Sequence, residues 1–133
     1  MLGLGGGNGF GQLGDSTGVQ KQTPVSVYYA KSHAVIASGY QHTIAIEAST
    51  GLARGWGAGG SGQIGNNNPG IAFYTPESVY GGRSYVQVAC GDYFSLAIEA
   101  STGYVWAWGA NGSGQVGDNS TQSRSTPVTV YRV

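Results

Sequence analysis

Gly9-Phe10-Gly11-Gln12-Leu13-Gly14-Asp15, Gly60-Ser61-Gly62-Gln63-Ile64-Gly65-Asn66 and Gly112-Ser113-Gly114-Gln115-Val116-Gly117-Asp118 are three copies of one short pattern. Their glutamines lie 51 and 52 residues apart, a period that makes one supersecondary unit in propellers and solenoids. The reading of the chain works outward from this ruler. After each copy comes a polar loop and then a proline-led alternating stretch: Thr23-Pro24-Val25-Ser26-Val27-Tyr28, Thr75-Pro76-Glu77-Ser78-Val79-Tyr80 and Thr126-Pro127-Val128-Thr129-Val130-Tyr131. Proline cannot donate to a ladder, so these predict edge strands at an outer rim. The tyrosines that close them, Tyr28, Tyr80 and Tyr131, form a repeated row there.

The strands before the pattern repeat as well. His33–Gly39 matches Tyr85–Gly91, rich in small residues that can crowd near an axis, and reads as the innermost strand. Thr43-Ile44-Ala45-Ile46-Glu47 and Ser95-Leu96-Ala97-Ile98-Glu99 follow a tight turn. Ala48-Ser49-Thr50-Gly51 and Ala100-Ser101-Thr102-Gly103 read as hairpin connections with glycine at a positive φ. A third strand carries Trp56 or Trp108, whereas the first copy has Gly3 and Gly5 at the aromatic positions. Each unit is a meander of four short strands without a helical signal, the blade of a β-propeller. The expected organisation is all-β and a single repeat array: a half blade over 2–29 and full blades over 33–80 and 85–132.

Four motifs then carry a resemblance: Trp106 to Asp118, Thr126 to Val130, Val86 to Gly91 and His42 to Ile46. In the same order and spacing they resemble the repeats of the regulator-of-chromosome-condensation propeller family, across nearly the whole chain. The resemblance implies blades of a seven-bladed propeller, a ring that these repeats are too few to close. Members of that family include a guanine-nucleotide exchange factor for a small nuclear GTPase and a secreted bacterial inhibitor of β-lactamases, so the resemblance implies functions of those kinds. The low charge and the Asn, Ser, Thr and Gly of the loops look more like the bacterial extracellular members. Exchange activity would rest on fold analogy alone.

Composition bounds the function. The 133 residues carry six basic and six acidic side chains, only 9% charged, and the basic ones are scattered singly. Nucleic-acid binding needs clustered Lys and Arg, so it is not expected. With 25 glycines come nine Tyr, three Trp and three Phe, enough apolar surface for a folded chain. No stretch approaches the roughly 18 apolar residues of a membrane helix, and the first residues lack the pattern of a signal peptide. The single cysteine, Cys90, allows no internal disulfide and reads as a small strand residue. No metal site and no cofactor are expected.

Gly-x-Gly-x-x-Gly superficially suggests a dinucleotide loop, but a phosphate-binding loop opens a helix and this one runs into an extended strand. Gly11, Gln12, Gly14, Gly62, Gln63, Gly65, Gly114, Gln115 and Gly117 are therefore read as a structural joint, in which glycines make the turn and Gln packs and hydrogen-bonds between blades. Trp56 and Trp108, and the pair Glu47 and Glu99, recur at equivalent places and read as structural for that reason. What differs between copies points to binding. The turns Gly39-Tyr40-Gln41-His42 and Gly91-Asp92-Tyr93-Phe94 converge on one face, and tyrosine beside Asp, Gln or His suits recognition. His42, matched by Phe94, reads as a packed histidine with one hydrogen bond or as a catalytic base without a nucleophile. The loop Asn66–Tyr74 offers Phe73 and Tyr74, either exposed for a ligand or resting on the next blade.

Two and a half blades expose strand edges, which proteins avoid by closure, covering or assembly. The expected protein is a non-enzymatic module for protein interaction or self-assembly, its partners other copies or further blades. The alternative is a secreted propeller that holds a glycan or protein at Tyr40 and Tyr93. An extracellular or cell-surface location is expected, with something preceding Leu2 or pairing with it.

Overall fold

A computed structural model describes residues 3–28 and 31–130; Leu2 and Tyr131, named above, lie outside the described residues. Ten strands follow one another: β1 (Gly3–Gly6), β2 (Lys21–Ser26), β3 (His33–Ser38), β4 (His42–Glu47), β5 (Ala53–Ala58), β6 (Ala72–Ser78), β7 (Tyr85–Cys90), β8 (Phe94–Glu99), β9 (Val105–Gly109) and β10 (Arg124–Thr129). No helix occurs among the described residues. β1 and β2 make a two-stranded sheet, and β3-β4-β5-β6 and β7-β8-β9-β10 are four-stranded meanders, antiparallel throughout. The fold is all-β and propeller-like.

Pro24, Pro76 and Pro127 lie in β2, β6 and β10, each at the edge of its sheet, where a missing N–H breaks no inner ladder. These strands begin earlier than the Thr-Pro signal suggests and end before the tyrosine. The reason is local. Tyr28 and Tyr80 send their N–H to the carbonyls of Gly14 (2.6 Å) and Gly65 (2.8 Å), so the chain leaves the ladder to bond the glycine motif. At the other end, Ala72 and Phe73 pair with Ala58 and Gly57, so Phe73 and Tyr74 belong to β6 and not to the loop that precedes it.

The sheets stack face to face. Ile44, Ile46, Ala53 and Val79 of the first full sheet pack with Tyr85, Val88, Ala97 and Trp108 of the second. Val27, Ala45 and Trp56 close the smaller core against the two-stranded sheet. Strand β4 is covered on both faces and buried at every position. Strand β8 is covered on one face only: Ser95 and Ala97 are buried, whereas Ile98 is 37% exposed and its equivalent Ile46 only 2%.

The glycine motif is the seam between sheets. The backbone carbonyl of Gln12 accepts from Trp56 Nε1 (2.8 Å) and Thr43 Oγ1 (3.0 Å). One unit later the carbonyl of Gln63 accepts from Trp108 Nε1 (2.9 Å) and Ser95 Oγ (2.8 Å). The glutamine side chain, expected to bond between blades, instead closes its own loop, with Oε1 accepting from the N–H of Phe10, Ser61 or Ser113. A second stitch runs from the loop to the next outer strand, Ser16 N–H to Tyr74 O (3.0 Å) and Asn67 N–H to Ser125 O (2.9 Å).

Candidate functional site

The two turns that differ between copies do converge. Gly39, Tyr40 and Gln41 join β3 to β4, and Gly91, Asp92 and Tyr93 join β7 to β8. The Tyr40 N–H donates to the Asp92 carbonyl across the gap (3.2 Å). Tyr40 and Tyr93 meet edge to face, centroids 6.0 Å apart at 64°, and remain 64% and 45% exposed. Gln41 is half-buried, its carbonyl held by the N–H of Ala58. Asp92 is exposed.

His42 lies beneath this surface and is buried together with Ser95. Its Nε2 is 3.0 Å from Ser95 Oγ. The serine hydroxyl donates its one hydrogen to Gln63 O, so it must accept from an Nε2-protonated imidazole; Nδ1 has no partner. The pair has the residue types of a nucleophile and base, yet neither group reaches solvent and the serine proton is already committed. It serves as an inter-sheet tie. Sequence comparison of the copies sets His42 against Phe94 and reads it as a packed histidine with one hydrogen bond, the arrangement seen here, but leaves the partner unseen, because Ser95 comes from another sheet.

Burial disfavours the imidazolium and holds His42 at about 4, a backbone hydrogen bond at Phe94 opposing the shift. His33 is also lowered, by burial first, with the charge of Glu47 opposing. Both folded values lie below the ordinary 6.5, so the unfolded chain binds more protons as pH falls. Their contribution to stability is fully present above about 6.5 and is lost as pH falls, that of His42 progressively toward about 4. The urea midpoint should therefore be lower at pH 5 than at pH 7. His42→Phe, which copies the next blade, should flatten much of that difference; an unchanged slope would exclude His42 as its source.

Glu47 and Glu99 are placed as neighbours in the two full sheets, each at the end of its second strand. Glu47 is buried and bound by Arg54 Nε (2.7 Å), Lys31 (3.5 Å) and Thr50. Burial pushes its carboxyl up, but these hydrogen bonds and positive charges outweigh burial and leave it below the usual value. Tyr28, Lys31, His33, Glu47, Arg54 and Pro76 line a cavity of about 340 Å³ beside it. Glu99 accepts from Thr102 Oγ1 (2.5 Å) and Trp106 Nε1 (3.3 Å), and Arg83 lies 3.9 Å away.

Phe73 and Tyr74 do not form one surface. The Phe73 ring sits within its own sheet, over Gly59 and Gly70, and Tyr74 rests against Gly11 and Gly18 of the preceding unit. The place of Phe73 explains a departure between copies. Asn8 and Asn111 are buried, donate to Asp15 and Asp118, and accept from Leu13 N–H and Val116 N–H; Lys21 and Arg124 complete the clusters. The middle unit has Gly59, Asn66 and Phe73 at the same places, an aromatic ring in the space of a polar network. The recurrence of Asn seven residues before Asp, present in the sequence twice, was the available signal.

Among the described residues no group of three or more His, Cys, Asp or Glu could hold a metal ion, and no helix is long and apolar enough to cross a membrane. Burial pushes the Cys90 thiol up to about 11, with a Ser95 hydrogen bond opposing, so it is a poor nucleophile.

With this geometry in hand, the chain can be set beside known proteins. The Regulator of chromosome condensation (RCC1) repeat matches residues 53–98 and 102–131, and a second form of the same repeat matches 85–115. The probable E3 ubiquitin-protein ligase HERC4 of Mus musculus is 35% identical over 127 residues, covering 92% of this chain and 12% of that protein. The ultraviolet-B receptor UVR8 of Arabidopsis thaliana is 31% identical over 123 residues, covering 90% of this chain and 28% of that protein. In structure the chain is similar to Prp20p from Saccharomyces cerevisiae, with TM-score 0.82 and 19% identity over 95% of this chain and 33% of that one. Human WBSCR16 gives TM-score 0.72 and 23% identity over 93% of this chain and 33% of that one. The chain thus spans between about a tenth and a third of the length of these relatives.

Proposed function

The chain belongs to the regulator of chromosome condensation repeat family, and we propose that it is a non-enzymatic propeller module that binds other proteins, its open blade end seating another copy of itself or a further blade. The observation that carries this reading is the contrast between two equivalent positions. Ile46 is 2% exposed because a second sheet covers it, and Ile98 is 37% exposed on the same face of the next sheet. Leu96, Ile98 and Val105 line an apolar depression of about 240 Å³ there. The third glycine loop is open too: a Cβ on Gly114 would meet nothing within 4 Å, whereas one on Gly62 would strike the backbone of Arg124. Contiguous exposed apolar surface of this kind marks association sites. Protein as the partner class is supported by a relative of the same fold, Prp20p, described by its binding to Gsp1p and histones and seen with Kap60 bound.

If the ends of two protomers are complementary, association is head to tail and gives a ring or a filament according to the rotation per subunit. Light scattering at several concentrations tests this. The mass should rise with concentration, and Ile98→Asp should return it to that of one chain. A single monomeric mass over the whole range would exclude end-to-end assembly.

A second reading, an exported propeller that holds a glycan or protein ligand, draws on the exposed Tyr40 and Tyr93 at the convergent turns. A glycan array separates the two readings, since only the second expects a carbohydrate signal that Tyr40→Ala and Tyr93→Ala abolish.

A further inference from the structure

The charges of the described residues are almost fully paired, and the exceptions are informative. Each cation lies within reach of a carboxylate: Lys21 with Asp15 (3.9 Å), Lys31 (3.5 Å) and Arg54 (2.7 Å) with Glu47, Arg83 with Glu99 (3.9 Å) and Arg124 with Asp118 (2.6 Å). Among the described residues that leaves two carboxylates without an ion pair, Glu77 and Asp92. Glu77 lines a depression with one exposed ring, Tyr80, whereas Asp92 lies in the turn of Tyr93, whose ring pairs with that of Tyr40.

The chain also shows what an aromatic ring beside a carboxylate can hold. At the far end of the second full sheet the Arg83 guanidinium lies 3.6 Å from the centroid of the Trp106 ring, with Glu99 on the same arginine and bonded to the Trp106 Nε1. Ring, carboxylate and guanidinium form one unit, in which the ring quadrupole and the anion attract the same cation. The convergent turns bring the same residue types together, two exposed rings and, in the same turn as Tyr93, an exposed aspartate. Tyr40 and Tyr93 supply the rings, fixed against each other at 6.0 Å, and the Tyr40 N–H to Asp92 O bond ties the two turns into one surface. An edge-to-face pair leaves the face of one ring open to a third group.

We infer that the Tyr40–Asp92–Tyr93 surface binds an arginine-bearing segment of a partner protein. The inference rests on the reading of the chain as a protein-binding module and names the chemistry of the partner. A guanidinium suits the site better than an ammonium, since it is planar, more weakly hydrated, and stacks on an aromatic face while donating to a carboxylate. A protein segment suits it better than a free cation. At rings 64% and 45% exposed a small ion keeps most of its water and gains little, whereas a chain brings neighbouring contacts with it. The tyrosines lose little freedom on binding, because each is already restrained by the other.

The test is fluorescence anisotropy with a labelled peptide of alternating arginine and glycine. Control peptides carry citrulline, which keeps the shape without the charge, or lysine. Binding to the full chain should weaken about three-fold in Tyr93→Ala, as expected for one cation–π contact at an exposed site. Asp92→Asn should weaken it about three-fold, the range of an exposed ion pair, and salt should weaken it further. The citrulline peptide, which loses both contacts, should bind about ten-fold less well, and lysine should bind less well than arginine. Glu77→Gln, which removes the other unpaired carboxylate, should change nothing. Thermal melts of each variant should match that of the parent chain, which checks that the fold is intact.

Equal binding of the citrulline peptide would overturn the proposal, as would unchanged affinity in both Tyr93→Ala and Asp92→Asn. A loss in Glu77→Gln as large as in Asp92→Asn would reduce it to diffuse charge attraction. Full displacement by tetramethylammonium at concentrations similar to the peptide would replace the protein segment by a small cation. Ile98→Asp separates this site from the open end. It should abolish assembly and leave peptide binding unchanged, so failure of the peptide to bind and failure of the chain to assemble are distinct results.

Discussion

Trp108→Ala is expected to lower the unfolding free energy in urea by about 3–5 kcal/mol, the range for truncating a fully buried aromatic side chain. Trp108 has no exposed surface and packs in the core shared by both full sheets. Its Nε1 donates to the Gln63 carbonyl at 2.9 Å, and its ring is the floor on which Gly65 sits, so close that a Cβ there would come within 2.7 Å of Nε1. Removal opens a cavity at the seam and takes one of two donors from a carbonyl that keeps only Ser95 Oγ. Trp106→Ala is the matched control. That ring is half-buried, lies under Arg83 and packs only at the edge of the same core, so its loss should cost clearly less. A Trp108→Ala cost below about 1 kcal/mol, that of an average substitution, would mean that the seam does not hold the sheets together.

The second large effect is a difference between two identical substitutions. Gly62 and Gly114 occupy the same place in the repeated motif, with φ of +81° and +76°. Alanine at either must adopt the left-handed conformation, which costs about 1–2 kcal/mol. At Gly62 the new Cβ would also lie 2.5 Å from the carbonyl oxygen of Arg124 and 2.8 Å from Ser125 Cα, backbone atoms that cannot swing aside. Overpacking adds about 1–3 kcal/mol. Gly62→Ala should therefore be clearly more destabilising than Gly114→Ala, as read from urea midpoints at concentrations too low for assembly. Equal losses would show that the loop of one unit does not press against the outer strand of the next. The same comparison bears on the open end. Where another blade covers the third loop, Gly114→Ala should also impair that association.

Much of this architecture was legible in the chain. The recurrence of Gly-x-Gly-Gln-x-Gly fixed the repeat, and alternation around Pro24, Pro76 and Pro127 identified the edge strands, because both signals arise from local backbone chemistry. The convergence of Tyr40, Asp92 and Tyr93 was legible from their equivalent places in successive units. The strand boundary at Phe73 was not. The Thr-Pro signal marks where proline is tolerated, not where pairing starts, and Ala72 and Phe73 join the ladder through Ala58 and Gly57. The glutamine was assigned to the seam for a reason only half met. Its side chain satisfies its own loop, and the backbone oxygen does the bonding between sheets, a distinction that one-letter recurrence does not carry.

By itself the sequence determined the period, the strand types and the identity of what could fill each seam, since these follow from residue spacing and from what glycine, proline and tryptophan permit in a backbone. The tertiary structure alone decided which of several equivalent residues are enclosed. Ile46 and Ile98, Gly62 and Gly114, Ser95 and its partner His42 are set apart or brought together by the presence or absence of a neighbouring sheet. Burial, and the hydrogen bonds and pKa values that depend on it, is a property of what lies across the seam, and that lies some fifty residues away along the chain.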